Sequence, residues 1–147
     1  MKRVAILLIT FILLPVLLSC SQSLNDAQLK IAEEYDNKIL EVKNNFDNHI
    51  KCLEDAYDNV TDYWQQLKPN TLAYTREVME SLEYVDFDGK SVKSFHNDDL
   101  NKYTTLGLFN LLKEKIADIK SQKNEILQKL KEEKQQKIVE ASTESRG

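Results

Sequence analysis

Eleven apolar side chains between Ile31 and Leu67 recur in steps of three or four residues: Ile31, Tyr35, Ile39, Val42, Phe46, Ile50, Leu53, Tyr57, Val60, Trp64 and Leu67. Only an α-helix gathers such a series onto one side of the chain. No proline or glycine interrupts the stretch. Asn25 or Asp26 suits the N-cap, because a short side-chain oxygen can accept from the free N–H groups of a first turn. Glu34 with Lys38, and Asp47 with Lys51, stand four residues apart in the favourable order, worth a few tenths of a kcal/mol each. Pro69 has no N–H to donate and restricts Lys68 before it, so the helix is predicted to end near Lys68. At 1.5 Å per residue such a helix is roughly 65 Å long.

The far end of the chain carries a matching stripe: Leu100, Tyr103, Leu108, Leu112, Ile116, Ile119, Ile126 and Leu130, with Lys123 as its one polar gap. A second long helix follows, with Asn97 or Asp98 as its cap. Gly107 lies inside it and marks either a kink or a close approach. Beyond Leu130 the stripe thins into a charged stretch. Residues 141–147 have little to bury and are expected to form a disordered tail.

Between the long helices, Thr71 to Leu82 reads as a short helix with Leu72, Val78 or Met79, and Leu82 on one face. Asp88-Gly89 favours a tight turn. Centring a hairpin there pairs Phe87 with Lys90 and Val85 with Val92; an irregular loop closed by the same turn is the other possibility. Aromatic residues concentrate from Tyr57 to Phe109. They either build a compact head or turn outward in part as a recognition patch, with Trp64, Tyr74, Tyr84 and Phe87 as its candidates. The expected fold is all-α: an antiparallel hairpin of long helices, or a small bundle of three to four helices if the first helix bends near His49.

The N-terminus addresses location. Lys2-Arg3 precede an apolar run from Val4 to Leu18, too short for a comfortable membrane span and interrupted by Pro15, which is the pattern of a cleaved secretory signal. Leu17-Leu18-Ser19-Cys20 resembles the lipobox of bacterial lipoproteins. That resemblance covers residues 1–20. It implies a signal peptide over 1–19, cleavage before Cys20 and lipidation of Cys20, so that 20–24 form a short tether and 25–140 the helical domain. It also implies a bacterial envelope location, with the outer membrane ahead of the inner. The Lys-, Asn- and Asp-rich composition is similar in style to small helical lipoproteins of Borrelia-type spirochaetes.

Removing Lys2 and Arg3 leaves 18 basic side chains against 24 acidic ones. That balance argues against a nucleic-acid partner. Acidic residues also interleave with the lysines from Lys113 to Lys137, as on a mixed solvated face. With Cys20 lipidated, Cys52 has no partner within the chain; it is either a small core filler or a route to a weak oligomer, as are the helices themselves. His49 and His96 lie far apart, and no spacing of His and Cys suits a metal. Asp86-Phe87-Asp88-Gly89 departs from a calcium loop at both ends, with Tyr84 in the first ligand position and Phe95 where the closing Glu belongs. Asn59-Val60-Thr61 is a chance sequon in the middle of a helix. No catalytic motif is present, and neither an enzyme nor a cofactor is expected. Two roles remain. One is an anchored lipoprotein that binds a protein or host factor through its helical surface and aromatic head. The other is a structural or accessory lipoprotein of the periplasm.

Overall fold

The computed structural model describes residues 24–86 and 90–144. The chain is all-α: among the described residues it forms four helices and one two-stranded antiparallel sheet. Helix α1 (Asp26–Gln65) is followed by α2 (Thr71–Ser81), strands β1 (Glu83–Val85) and β2 (Ser91–Lys93), the single turn α3 (Asn97–Leu100) and α4 (Thr105–Glu144).

Helix α1 begins in a reciprocal cap. The Asn25 side chain accepts from the Gln28 N–H at 2.9 Å, and the Gln28 side chain accepts from the Asn25 N–H at 2.9 Å. Two of the four free N–H groups of the first turn region are thereby satisfied. The same Gln28 amide donates to the Ile138 carbonyl at 3.0 Å and ties the start of α1 to the end of α4. The helix runs unbroken past His49 for 40 residues, about 60 Å. It stops at Gln65, three residues before the expected end, because Leu67 turns into the left-handed region with φ 50°. Tyr63 Oη donates to the Pro69 carbonyl and Thr71 Oγ1 to the Lys68 carbonyl, closing this turn at 3.0 and 2.9 Å.

The hairpin exists, but its register differs from the expected one. Tyr84 pairs with Val92 and Val85 with Ser91, while the Asp86 N–H donates to the Lys90 carbonyl at 2.9 Å. A shift of one residue exchanges the two faces of a strand. The observed register turns Tyr84 towards the helices and leaves Val85 61% exposed, whereas pairing Val85 with Val92 would have reversed them. The expected turn at Asp88-Gly89 lies outside the described residues, as does Phe87.

The second long helix does not start at Asn97. Residues 97–100 make one turn with His96 at the cap position and no side-chain cap bond. The chain then breaks before α4, and Thr104 is the capping side chain, its Oγ1 accepting from the Gly107 N–H at 3.2 Å. Arg76 of α2 holds the break, donating through one Nη to the Asn101 and Tyr103 carbonyls at 3.0 and 3.2 Å. Gly107 marks a close approach, since a Cβ there would lie 3.0 Å from the Tyr103 ring. At the other end α4 continues to Glu144, four residues into the stretch expected to be a tail. Ser142 and Thr143 donate to the Val139 and Glu140 carbonyls, so these hydroxyls complete the last turns instead of unravelling them.

Helices α1 and α4 lie antiparallel. The pairing is read from Tyr57 edge-on to Phe109, Glu54 with Lys120, Asp47 with Lys123 and Asp36 with Lys134. Lys123, the polar gap in the second stripe, reaches across to Asp47. Asp47 also takes Lys43 at 2.8 Å, and not the expected Lys51. The core comprises Phe46, Ile50, Leu53, Ala56 and Val60 of α1, Leu108, Phe109, Leu112 and Ile119 of α4, and Met79, Leu82, Phe95 and Leu100 from the segments between. Residues 24–45 of α1 and its approach, and 120–143 of α4, contain no fully buried side chain. The molecule therefore has a dry head, walled by α2 and the hairpin, and a two-helix stalk. Leu53→Ala is expected to lower stability by about 2–5 kcal/mol in urea unfolding, the range for an emptied core site. Leu40→Ala, on the stalk surface, is expected to change it by less than about 0.5 kcal/mol. Equal losses would place the core elsewhere.

Candidate functional site

Helix α1 carries one imidazole among its apolar stripe. His49 lies three residues after Phe46 and four before Leu53, a spacing that directs it into the seam. It is buried at 5% exposure. The Tyr84 ring of β1 stacks on it with centroids 3.9 Å apart and planes 13° from parallel. Just past β2, Ser94 Oγ shares a hydrogen bond with His49 Nε2 at 3.0 Å. The Ser94 N–H donates to the Leu82 carbonyl at 2.8 Å, which closes the base of the hairpin. Both strands are thus fastened to one ring. Burial pushes the imidazole below its ordinary value, and the Lys115 ammonium on α4 adds to that.

Two spaces flank the stacked pair. One, of about 180 Å³, is lined chiefly by Phe46, His49, Tyr84, Ile119 and Ile126, with Asp86 among its polar residues. The other, of about 240 Å³, takes in Asn48, Cys52 and Glu83. A hydroxyl beside an imidazole is half of a nucleophilic arrangement, which also needs a group to orient the base. Here no carboxylate hydrogen-bonds to the His49 ring among the described residues. The pair acts as a polar clasp between hairpin and helix.

Of the four aromatics expected to form a patch, the three described ones stand in different surroundings. Tyr84 sits under the hairpin on His49. Trp64 is 52% exposed and tilts onto Phe109 at 5.5 Å, fifteen residues along α1 from His49 and so about 22 Å away. Tyr74 is half-buried and stacked on Tyr63 at 3.9 Å. Phe87 lies outside the described residues, and so does Cys20. Cys52 is half-buried against the core. His96 is exposed, and Asp99 beside it pairs with Lys102 at 3.0 Å. No group of three or more His, Cys, Asp or Glu among the described residues is placed to hold a metal ion.

The sequence contained a sign of His49, which falls in step with the stripe, but none of Ser94, whose place depends on hairpin register. No protein-family model, curated protein or solved structure matches this chain. Replacing Ser94 by Ala removes a partner from a buried ring nitrogen and is expected to cost about 1–3 kcal/mol in chemical denaturation. An unchanged midpoint would show that the nitrogen is satisfied some other way.

Proposed function

We propose that this chain is a lipid-anchored protein of a bacterial envelope that offers the far end of its helical rod to a protein partner. The support for the anchor is the basic start, the apolar run and Leu17-Leu18-Ser19-Cys20, with Cys20 as the lipidated residue. The support for binding is the state of Leu67. It is 88% exposed and holds φ 50° in the turn after α1. A left-handed conformation costs a residue with a Cβ about 1–2 kcal/mol, and exposure of the side chain returns nothing to folding. Trp64, one turn earlier, and Leu106, 64% exposed at the start of α4, lie at the same end of the helix pair. Large apolar side chains presented together are what a partner surface buries. With the lipid six residues before Asp26, a rod held upright would carry this tip about 60 Å from the membrane.

A second reading has its own observation. Only five residues separate Cys20 from Asp26, a reach of at most about 22 Å. Such a tether suits a rod kept close to its membrane as an accessory or scaffold in the periplasm. Protease shaving of intact cells separates the two: loss of the protein fits display on the surface, and full protection fits the periplasm.

Mass spectrometry of the native protein is expected to find a diacylglyceryl group on Cys20 and no residues before it; a free thiol or an intact leader would remove the anchor. Leu67→Gly is expected to stabilise the fold by about 1 kcal/mol, through relief of the left-handed strain. The same change should reduce capture of the partner from solubilised envelope, and Trp64→Ser should reduce it further in a protein that remains helical. Capture undiminished in both variants would move the binding face elsewhere, and no capture with the unaltered protein favours the structural role.

A further inference from the structure

We infer that this chain pairs with a second copy of itself, the two rods face to face and pointing the same way, through the side of the α1–α4 seam that α2 and the hairpin leave bare. Each residue of a helix is turned by about 100° from the last, so residues two apart stand on nearly opposite sides. His49, Ala56 and Val60 are buried on the side of α1 walled by the hairpin and α2. Asp47, Glu54 and Asp58, each two residues earlier, reach solvent on the other side. There a trough of about 420 Å³ is lined by Glu54, Tyr57 and Asp58 of α1 and by Lys113 and Ile116 of α4. Its walls are the two long helices themselves.

The two edges of this bare face carry opposite charge. The α1 edge holds Glu33, Asp36, Asp47, Glu54 and Asp58, against Lys43 and Lys51, and Lys43 donates to Asp47 at 2.8 Å. On α4, steps of three, four and seven bring Lys113, Lys120, Lys123, Lys131 and Lys134 to the same face, while Glu114, Asp118, Glu125 and Glu132 point away from it. Apolar groups interrupt both edges. Leu29 and Leu40 are 51% and 55% exposed, eleven residues apart in one column of α1, and Leu127 and Ile138 are half-buried on α4. Within one chain Asp36 meets Lys134, Asp47 meets Lys123 and Glu54 meets Lys120, which fixes the residues that share a level along the rod.

A twofold axis parallel to the rods sets α1 of one copy against α4 of the other and keeps every level. The acidic edge then meets the lysine edge twice: Asp36, Asp47 and Glu54 face Lys134, Lys123 and Lys120 of the second copy, and Leu40 lies over Leu127 of the second copy. A twofold axis across the rods would instead oppose α1 to α1 and α4 to α4, acid to acid and lysine to lysine, which is repulsive. A 40-residue helix pair offers a face about 60 Å long and two helices wide, on the order of 1,200 Å² a side, against roughly 800 Å² per partner in a stable interface. The stalk becomes a four-helix bundle, and the wall that two helices lack is supplied by the same two helices of the other copy. Both starts of α1 lie at one end and both Leu67 turns at the other. The pairing holds whether or not the chain is lipidated.

Sedimentation equilibrium of the full chain in density-matched detergent is expected to find two chains per particle. Leu40→Ala, which costs a single chain little, is expected to weaken the dimer about tenfold. Lys113→Glu sets acid against the acidic edge and is expected to weaken it by a similar factor; adding Asp58→Lys, at the same level on α1, is expected to restore it. Recovery in the double variant excludes misfolding as the cause of the loss. Orientation is read from two further variants, Leu40→Cys and Lys131→Cys, made in separate chains and mixed. These positions share a level, and mild oxidation is expected to join them by a disulfide, identified by mass spectrometry of the linked peptides so that links through Cys52 are told apart. A dimer without that cross-link overturns the proposal, as does a dimer indifferent to Lys113→Glu. A single chain per particle at every concentration also overturns it and leaves the face to another protein or to solvent.

Discussion

The antiparallel seam between α1 and α4 is the contact to which every other part of this molecule is referred. Neither helix is stable alone, because most helical stability in proteins comes from burying an apolar face against something else. Each offers one stripe, and the two stripes cover each other. Register along the seam is marked by polar pairs. Asp47 and Asp36 are eleven residues apart on α1; Lys123 and Lys134 are eleven apart on α4, and each lysine meets its aspartate. Eleven residues is about three turns, so each pair of positions returns to one column of its helix. Exposed ion pairs contribute only about 0–1 kcal/mol each. Their value here is in specifying alignment, since a slip of one turn would leave Lys123, whose side chain is only 20% exposed, facing apolar neighbours without its carboxylate. Lys123 and Lys43 hold the Asp47 carboxyl below its usual range, so losing this marker by protonation takes a more acidic pH than a free carboxylate would need.

The seam is sealed along only half its length. Helix α2, Phe95 and Leu100 close it from Phe46 to Val60 on α1, and there the side chains are fully buried. Beyond, from Val42 towards Asn25, two helices have no third wall and their stripe is half-buried. Resistance to local opening is therefore expected to be graded along the rod. The polar clamp of Gln28 onto Ile138 sits at the loose end, where it does most to restrain fraying. The hairpin attaches at the boundary between the two regimes, on the first buried turn of α1.

How legible this was depended on whether a feature is periodic. The two stripes, the all-α class, a cap at Asn25 or Asp26 and a stop before Pro69 follow from spacing and from the chemistry of single residues. What escaped depended on contacts distant in sequence. The break at residues 101–104 is made by Arg76, which no local pattern near Leu100 announces; the stripe ran through it because Leu100 and Leu108 both face the core. The hairpin register was read from Asp88-Gly89, whereas Tyr84 on His49 set it. Asp47 was matched to Lys51 by helix geometry, but an ammonium from the opposite helix took its place. Aromatic density left a compact head and an outward patch both open, because density along a chain says nothing of azimuth; among the described rings, Phe95 and Phe109 are buried in the core, Tyr84 lies on His49 and Trp64 is exposed at the tip.

Among the described residues, Leu67 and His49 are two that depart from the pattern around them. Leu67 takes a left-handed turn and turns its side chain to water. His49 places an ionisable ring within an apolar stripe. In a sequence otherwise consistent across its levels, such exceptions are where function is sought. Their supports are separate. The tip turn is closed by Tyr63 on Pro69 and Thr71 on Lys68; the base of the hairpin is held by Ser94 on Leu82 and on His49. The flank of the tip at Trp64 and the ring at His49 are about 22 Å apart along α1, beyond the range at which substitutions without shared partners interfere. A substitution at the tip is thus expected to leave the His49 contacts in place, and one at His49 to leave the tip turn closed. Between them lies the buried segment of the seam, with Leu53, Ala56 and Val60 facing α4 and α2.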